Sequence, residues 1–214
     1  MTASEKTYKA LRKNFYHYYP GGHTNIKSIP ESMRIIVGSA QGTKIRDIDG
    51  TEYLDYAGAH GANILGHRHP EYIESLHRLI NTSALCGGGL FGFTENDVIV
   101  AEKLIRHVPC AERVKFACSG TEAVQAAIRI ARSSTGRPYV LQFQDHYHGW
   151  IDNVFGQDIA VEQKDMPISA PAAHATLGRG PNAGKDTLMI EWNDIIALEN
   201  TLKQYGDQIA LIIM

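Results

Sequence analysis

The segment from residue 112 to residue 132 constrains the fold most, because its hydrophobic period changes at a Ser-Gly-Thr corner. Before the corner, apolar residues stand at every second position, which is typical of a strand. They are Val114, Phe116 and Cys118. After the corner, apolar residues recur at the spacing of one helix face. They are Val124, Ala127, Ile128 and Ala131. The sequence therefore predicts a strand that turns directly into a helix.

The corner itself consists of Ser119, Gly120 and Thr121. A helix begins with backbone N–H groups that lack partners and with a partial positive charge. Two hydroxyls and a glycine at such a position can hold a phosphate group. Ser and Thr are also common helix N-caps, so an ordinary cap at Ser119 or Thr121 explains the same residues. The residues alone leave both interpretations open.

A second predicted strand, at residues 139–143, is followed by a loop that reads Asp-His-Tyr-His-Gly-Trp. In a parallel sheet, the loops at the carboxyl ends of the strands bind ligands. Within this loop, Tyr147 is a candidate for stacking on a flat ring, and His148 is a candidate for orienting a ligand. The alternatives are that Tyr147 is a half-buried core aromatic and that His148 is a loop histidine bonded to the backbone.

The front of the chain predicts a helix and a small antiparallel meander. The helix covers residues 4–19, and the strands cover residues 35–39, 44–48 and 52–56, with glycine turns between them. A helix then runs from Pro70 to about residue 82. Thr94 and Asp97 resemble a capping box at the start of another helix. We expect four residues of that helix to face inward: Val98, Ala101, Leu104 and Ile105.

The back of the chain predicts a long irregular excursion at residues 157–186 and a strand at residues 187–190. Asn193 is the expected cap of the next helix, and a last strand begins near residue 208. Alternating strands and helices predict an α/β fold with a mostly parallel sheet. We expect residues 1–62, the helix and meander, to be part of a small domain, and residues 63–214 to be the front part of a large one.

Composition excludes several classes of protein. Of the 214 residues, 43% are apolar and 21% are charged, and the formal net charge is −2, which favours a globular domain without nucleic acid or a membrane as partner. Three widely spaced cysteines fit reduced thiols, so we expect a cytoplasmic protein. The histidines near residues 67–69 and 145–148 lack a supporting carboxylate or cysteine cluster, so we expect no metal site.

The last residues, from 208 to 214, form an apolar run typical of a buried strand in a parallel sheet. Domains rarely end on a central strand. We therefore expect the sequence to be the front part of a longer polypeptide.

Several motifs together resemble the class III aminotransferases, which are fold-type-I enzymes dependent on pyridoxal phosphate (PLP). The resemblance covers roughly residues 15–214 and rests on motifs that occur in the family's order. These are Tyr53–Tyr56, Ile64–Pro70, Phe116–Ala123, Ala127–Arg132, Thr135–Arg137 and Tyr147–Gly149. Pro20-Gly21-Gly22 is similar to the glutamate-1-semialdehyde 2,1-aminomutase branch of this family.

This resemblance implies a homodimer with PLP at the subunit boundary. It also implies that Ser119, Gly120 and Thr121 hold the phosphate, that Tyr147 lies on the pyridine ring and that His148 lies beside it. In the family, a lysine forms a Schiff base with PLP and an aspartate pairs with the pyridine nitrogen. Both motifs are expected downstream of residue 214. We therefore assign no catalytic residue to this chain and expect that it cannot bind PLP covalently by itself.

The expected substrate pocket departs from the aminomutase pattern at three positions. Asn25 stands where related β-amino acid transaminases place an arginine, and Lys27 offers a point charge without the guanidinium fork. His60 replaces an aromatic residue of the aminomutase. These three residues are the substrate candidates, and they indicate a substrate pocket that differs from that of the aminomutase, so its substrate is not carried over to this chain.

The resemblance implies an enzyme that moves an amino group between an amino donor and a keto acid or aldehyde. Two alternatives stay open. The first is an aminomutase of the glutamate-1-semialdehyde type, which shifts the amino group within one substrate. The second is a non-catalytic, truncated or split domain that lacks the Schiff-base lysine.

Overall fold

In the computed structural model, two compact units divide the chain at residue 100, and each is described here by itself. The domain boundary predicted at residue 62 stays a prediction. The structure describes most of both units. The described residues are 10–11, 13–14, 17–19, 35–82, 92–155, 180 and 182–214. The irregular excursion predicted over residues 157–186 lies mostly outside them.

The first unit contains the predicted antiparallel meander. Strands β1 (Val37–Gln41), β2 (Lys44–Asp47) and β3 (Glu52–Leu54) pair in the order β1-β2-β3. Before them, the described part of the predicted front helix, within residues 10–18, is helical. After them, helix α1 (Pro70–Thr82) begins at the predicted proline. The sequence therefore predicted each of these elements.

A segment behind β3 returns to the meander. The backbones of Gly42 and His67 exchange two hydrogen bonds, with N···O distances of 2.8 and 2.7 Å. The carboxylate of Asp55 accepts hydrogen bonds from the N–H groups of Ala57 and Gly58, and it lies 2.7 Å from Nε2 of His67. Polar contacts thus fix the path of the chain from β3 to residue 67.

Helix α2 (Glu95–His107) has the predicted capping box but not the predicted buried face. The carboxylate of Asp97 accepts from Thr94 N at 2.7 Å, and Asp97 N donates to the Thr94 hydroxyl at 3.3 Å. No residue of α2 is buried, so the expectation that four side chains pack inward was wrong. Periodicity identifies the apolar side of a helix, whereas burial also requires a neighbouring element that covers it. The four residues are Val98, Ala101, Leu104 and Ile105.

The second unit is built on a parallel sheet. Helix α3 (Gly120–Thr135) precedes β4 (Tyr139–Phe143), and β5 (Thr187–Ile190), α4 (Ile195–Tyr205) and β6 (Ile209–Ile213) follow. The strand order is β5-β4-β6, and both pairings of β4 are parallel. The predicted α/β class with a parallel sheet and a preceding meander is confirmed.

The strand predicted before α3 is absent. Residues 113–117 pair with no strand among the described residues, and Phe116 is half exposed. Alternation of side chains predicts an extended backbone, but a strand also needs a ladder partner for its N–H and C=O groups. Cys118, the last apolar residue of the predicted strand, is exposed.

The core lies on both faces of the parallel sheet. On one face, Leu141 and Phe143 of β4 pack with Leu188, Ile190 and Ile209, and side chains of α4 complete this cluster. On the other face, Val140 packs with Ile128 of α3 and with Val154. These two layers explain why every residue of β5 and almost every residue of β4 is buried.

Two arginines join the amino ends of the three strands. Arg132 of α3 donates to the carbonyl of Pro138, before β4, and pairs with Asp186, before β5. Arg137 donates to the carbonyls of Gly206 and Ile209 at the start of β6, both at 3.3 Å. These contacts fix the edge of the sheet opposite the predicted ligand site.

The cap of α4 corrects a prediction by one residue. The carboxylate of Asp194 accepts from Ala197 N at 2.8 Å, so Asp194 and not Asn193 is the N-cap. Asn193 instead takes a left-handed backbone conformation, with a φ of 65°. Asn tolerates that conformation better than most residues, which leaves the following aspartate to cap the helix. Among the described helices, none has the length and apolar character needed to cross a bilayer.

Candidate cofactor site

The Ser-Gly-Thr corner forms the start of α3. The Ser119 hydroxyl accepts a hydrogen bond from Glu122 N at 3.3 Å and donates one to the Glu122 carboxylate at 3.2 Å. Ser119 and Gly120 are exposed, and Thr121 is half-buried. The ordinary cap is therefore present at Ser119. The exposed N-terminus of a helix still has the partial positive charge that favours an anion.

The loop after β4 lies directly against this corner. A Cβ atom added to Gly149 would come within 2.5 Å of Thr121 Oγ1 and within 2.8 Å of Thr121 Cα. Gly149 also has a φ of 94°, in the left-handed region that favours glycine. Only glycine fits this contact, so Gly149 holds the loop of Tyr147 and His148 beside Thr121.

Gly149 was not among the predicted site residues. The signal that could have found it is the glycine directly after Tyr147-His148, since an isolated glycine beside a candidate site indicates a close backbone approach. The contact lies at the carboxyl end of β4, which is the ligand-binding edge of a parallel sheet.

The two candidate side chains of this loop differ in exposure. Tyr147 is 69% exposed, and its ring lies nearly perpendicular to that of Phe155, at 6.2 Å between ring centroids. This exposure argues against the core aromatic of the alternative interpretation and leaves ring surface accessible for stacking. His148 is only 6% exposed.

His148 is buried without a partner for one of its ring nitrogens. Its Nε2 atom makes no hydrogen bond in the described part of the chain. Burial, together with the neighbouring His146, lowers the pKa of His148, so the ring is neutral near pH 7. A buried polar atom without a partner is costly, and such atoms are often explained by a missing ligand or protein group.

Gln142 of β4 is a second buried residue of this kind. It is 1% exposed, and its Oε1 atom has no hydrogen-bond partner among the described residues. Because side chains alternate along a strand, Gln142 lies on the same face of the sheet as Val140, which is the face covered by α3. Gln142 was not among the predicted site residues, because a glutamine within an apolar strand resembles a surface position.

A shallow cavity of about 390 Å³ opens at the carboxyl ends of β4 and β5. The ring of Trp192 lies 4.6 Å from that of His146 and 4.9 Å from that of Phe143, between centroids. The residues that line this cavity are Gln144, Asp145, His146, Glu191 and Trp192. No group of three potential metal ligands occurs in the described residues.

The substrate candidates lie in the first unit or outside the description. Asn25 and Lys27 fall outside the described residues. His60 is exposed and has a left-handed backbone, with a φ of 58°. The structure therefore brings together Thr121 with the Tyr147–Gly149 loop, and the roles of all predicted site residues remain predictions.

The second unit is an α/β structure with a parallel sheet. At the carboxyl ends of its strands lie the exposed N-terminus of α3 and the Tyr147–Gly149 loop, an arrangement that suits a phosphate-bearing group. Comparison with known proteins identifies the family. The family model for class III aminotransferases matches residues 27–214. This chain belongs to the class III aminotransferase family, as its motifs predicted.

Individual relatives agree with this family. The chain is 38% identical over 187 residues to a glutamate-1-semialdehyde 2,1-aminomutase of Rhodopirellula baltica, covering 84% of the chain and 39% of the relative. It is 34% identical over 220 residues to an aminomutase of Staphylococcus carnosus, covering 98% of the chain and 47% of the relative. The chain thus spans less than half the length of these curated relatives.

Solved structures share the fold. An omega-transaminase from Sphaerobacter thermophilus superposes with a TM-score of 0.81 at 29% identity, covering 95% of the chain and 46% of that protein. A glutamate-1-semialdehyde aminomutase from Pseudomonas aeruginosa has a TM-score of 0.72 at 23% identity, covering 96% of the chain and 43% of that protein, which indicates the fold alone. The predicted fold, that of the fold-type-I transaminases with only part of it represented, is confirmed.

Proposed function

We propose that this chain forms the front part of a PLP-dependent enzyme that moves an amino group between an amino donor and a keto acid or aldehyde. Membership in the class III aminotransferase family supports this proposal. A transaminase solved with PLP bound also supports it, since it has a TM-score of 0.79 and 27% identity to this chain. The observation that carries the proposal is the contact between Thr121 and Gly149 at the carboxyl end of β4.

The residues at that contact fit a phosphate-bearing cofactor. The hydroxyls of Ser119 and Thr121 and the free N–H groups at the start of α3 are hydrogen-bond donors for phosphate oxygens. Glu122 at present accepts the Ser119 hydroxyl, which would turn from that carboxylate to the phosphate. Because Gly149 has no side chain, Thr121 can stay in contact with the loop while the Thr121 hydroxyl binds the phosphate.

The loop residues would hold the cofactor ring. Tyr147, with its exposed ring, would stack on the flat pyridine. The neutral His148 would orient a group at its unpartnered Nε2 atom. When bound, PLP withdraws electrons from the substrate carbon that carries the amino group. These side chains position the ring and exclude water from one of its faces.

Further parts of the proposal rest on the family resemblance. The Schiff-base lysine and the aspartate for the pyridine nitrogen would come from the remainder of the full-length protein. Asn25, Lys27 and His60 would contribute to the substrate pocket. We also infer a homodimer with PLP at the subunit boundary and a cytoplasmic location.

The experiment that tests the site replaces Gly149 with alanine in the full-length protein. The added methyl group would push the loop away from Thr121, and a displacement of about 1 Å can cost about a hundredfold in rate. We expect Gly149→Ala to lose PLP on dialysis and to lower kcat/KM about tenfold to a hundredfold. PLP content is measured by absorbance and by bound phosphate.

Gly136→Ala is the matched control. Gly136 also has a positive φ, of 68°, but no atom lies within 4 Å of a Cβ added there. The control carries the same kind of backbone strain without the steric contact, so it should lower stability and keep PLP. Equal PLP loss in both variants would argue against a role for the contact between Thr121 and Gly149.

An aminomutase is the second candidate function. The relatives from Rhodopirellula baltica and Staphylococcus carnosus are aminomutases, and the Pro20-Gly21-Gly22 motif of this chain is similar to that branch. A mutase shifts the amino group within one molecule and needs no separate acceptor. Turnover of the full-length protein that continues without any added keto acid or aldehyde identifies the mutase, whereas strict dependence on an acceptor identifies the transaminase.

A non-catalytic domain is the remaining alternative. None of the relatives reported above favours it. Absence of both reactions and of PLP binding in the full-length protein would bring it back.

A further inference from the structure

One face of the meander in the first unit is mostly polar. In an antiparallel sheet, residues directly opposite each other share a face. Arg46 of β2 lies opposite Ser39 on one side and Glu52 on the other, and Lys44 lies opposite Gln41. We call the five polar residues of this face, Ser39, Gln41, Lys44, Arg46 and Glu52, the polar face. Leu54, opposite Lys44 on β3, lies on the same side of the sheet but does not line the cavity described below.

Arg68 turns this flat face into a cavity. The two backbone hydrogen bonds between Gly42 and His67 hold the segment of Arg68 against the meander. Gly66 lies so close that a Cβ there would come within 2.9 Å of the Gly42 carbonyl oxygen. Arg68 itself has a left-handed backbone, with a φ of 53°, which is unusual for a residue with a long side chain.

The resulting cavity has a volume of about 390 Å³, which is in the range of small-ligand sites. It is lined by Arg68 and the polar face of the meander, together with Ala40 and Ile45. All of these residues belong to the first unit.

The cavity has an excess of positive charge. Lys44 and Arg46 share one carboxylate, that of Glu52, at 2.6 and 3.3 Å. Hydrogen bonds from these two side chains lower the pKa of Glu52, so it stays ionised near neutral pH. Arg68 has no carboxylate partner in the described part of the chain. Three cations against one carboxylate leave a net charge of about +2.

We propose that this cavity binds a phosphate group, either as free phosphate or on a small phosphate monoester. A phosphate has a charge between about −1.5 and −2 at pH 7 and offers three acceptor oxygens. The guanidinium fork of Arg68, the ammonium group of Lys44 and the hydroxyl of Ser39 are donors of different geometry that suit such a group. The proposal does not rest on the proposed PLP function, because none of the lining residues is among those proposed to hold PLP or the substrate.

The test uses the full-length protein saturated with PLP, so that the phosphate site proposed at Ser119–Thr121 is filled. Inorganic phosphate and glycerol phosphate are titrated by calorimetry at constant ionic strength, with chloride as the exchanged anion. We expect saturable binding. Tighter binding of glycerol phosphate identifies a monoester as the ligand, and tighter binding of inorganic phosphate identifies free phosphate. Equal binding of succinate would contradict a phosphate site.

Arg68→Gln should weaken phosphate binding about tenfold or more, because it removes the charged hydrogen-bond donor that has no carboxylate partner. Arg68→Lys should restore part of the affinity. Arg78→Gln is the matched control, because Arg78 is an exposed arginine of the same unit and lies outside the cavity lining. If Arg68→Gln and Arg78→Gln bind phosphate equally, the proposed site is overturned.

Glu52→Gln gives a result in the opposite direction. Removing the only carboxylate of the lining raises its net charge to about +3, so phosphate should bind more tightly. A variant that merely damages the fold would bind less tightly. Unchanged or weaker binding in a folded Glu52→Gln protein, judged by an unchanged Tm, would therefore contradict the proposal.

Discussion

Different kinds of contact stabilise the interior of each of the two units of this chain. Every buried apolar residue among those described lies in the second unit, on the two faces of its parallel sheet. In the first unit, the only buried residue in the described ranges is Asp47. Burial of apolar surface thus stabilises the second unit, and hydrogen bonds and ion pairs order the first.

Asp47 shows how the first unit is ordered. Its carboxylate accepts hydrogen bonds from Asp49 N, Thr51 N and the hydroxyl of Tyr53, at 3.0, 2.8 and 2.9 Å. These contacts close the turn between β2 and β3 around one side chain. Asp55 orders the bend after β3 in the same way, since its carboxylate contacts the N–H groups of Ala57 and Gly58 and the ring of His67.

Because of this difference, we expect the stability of each unit to be sensitive to a different kind of substitution. A net hydrogen bond contributes only about 0.5–1.5 kcal/mol, whereas a fully buried large apolar side chain contributes about 1.5–3 kcal/mol. The second unit should therefore respond most to loss of volume in its core. The stability of the first unit should respond most to the loss of charge on its hydrogen-bonded carboxylates.

The largest expected effect is that of Leu141→Ala. Leu141 is completely buried in β4, so the substitution should lower the free energy of unfolding of the second unit by about 2–5 kcal/mol. Ile45→Ala in the meander should cost only about 1 kcal/mol, because Ile45 is half-buried. Amide hydrogen exchange of the full-length protein resolves the two units. Similar losses from both substitutions would erase the distinction between them.

A smaller effect is expected for Arg132→Met, which tests whether polar contacts also matter in the second unit. Methionine keeps the apolar stem but leaves the carbonyl of Pro138 and the carboxylate of Asp186 without their donor. The expected loss is about 1–2 kcal/mol in urea unfolding. Arg129→Met on the same helix is the control, since exposed Arg129 should change stability by less than about 0.5 kcal/mol. A loss as large as that of Leu141→Ala would contradict the view that the apolar core dominates this unit.

The sequence predicted the elements of both units because their signals are local. The proline of α1, the Thr94–Asp97 capping box and the apolar run of β4 are each sufficient for their element. The two wrong predictions concern contacts with another segment of the chain. The strand before α3 and the buried face of α2 both depend on another segment lying alongside, and a local pattern does not specify one.

The same limit applies to the candidate site. The corner at Ser119 and the ring of Tyr147 could be singled out by residue type and position. The role of Gly149 depends on its distance from Thr121, and that of Gln142 on burial without a partner for Oε1. Both are properties of the fold, so only the structure could identify them.

The smallest expected effect is a difference in acid sensitivity, and it separates the units most sharply. Among the described residues, the four carboxylates whose pKa is lowered all lie in the first unit. For Asp47, burial alone would raise the pKa, but the hydrogen bonds from Thr51 and Tyr53 lower it. For Asp55, the hydrogen bonds from Gly58 and His67 lower it. The remaining two are Glu52 and Asp97.

In the described part of the second unit, the group with a shifted pKa is His148, whose pKa is lowered by burial and by the neighbouring His146. A histidine whose pKa is lower in the folded state binds protons more readily when unfolded. Its contribution to stability is complete above the unfolded pKa, near 6.5, and is lost as the pH falls below that value. A carboxylate with a lowered pKa keeps its contribution until the pH falls below its own unfolded value, 3.8 for Asp.

We therefore expect the second unit to lose stability first on acidification, from about pH 6.5 downward, and the first unit to follow near pH 4. Hydrogen exchange from pH 7.5 to about pH 2.5, corrected for the intrinsic exchange rate, measures each unit separately through both declines. His148→Gln should abolish the decline that begins near pH 6.5 and leave the lower one in place, because glutamine does not titrate. If the decline near pH 6.5 persists in His148→Gln, another group of the second unit causes it. If the first unit weakens at the higher pH instead, its hydrogen-bonded carboxylates are not what orders it.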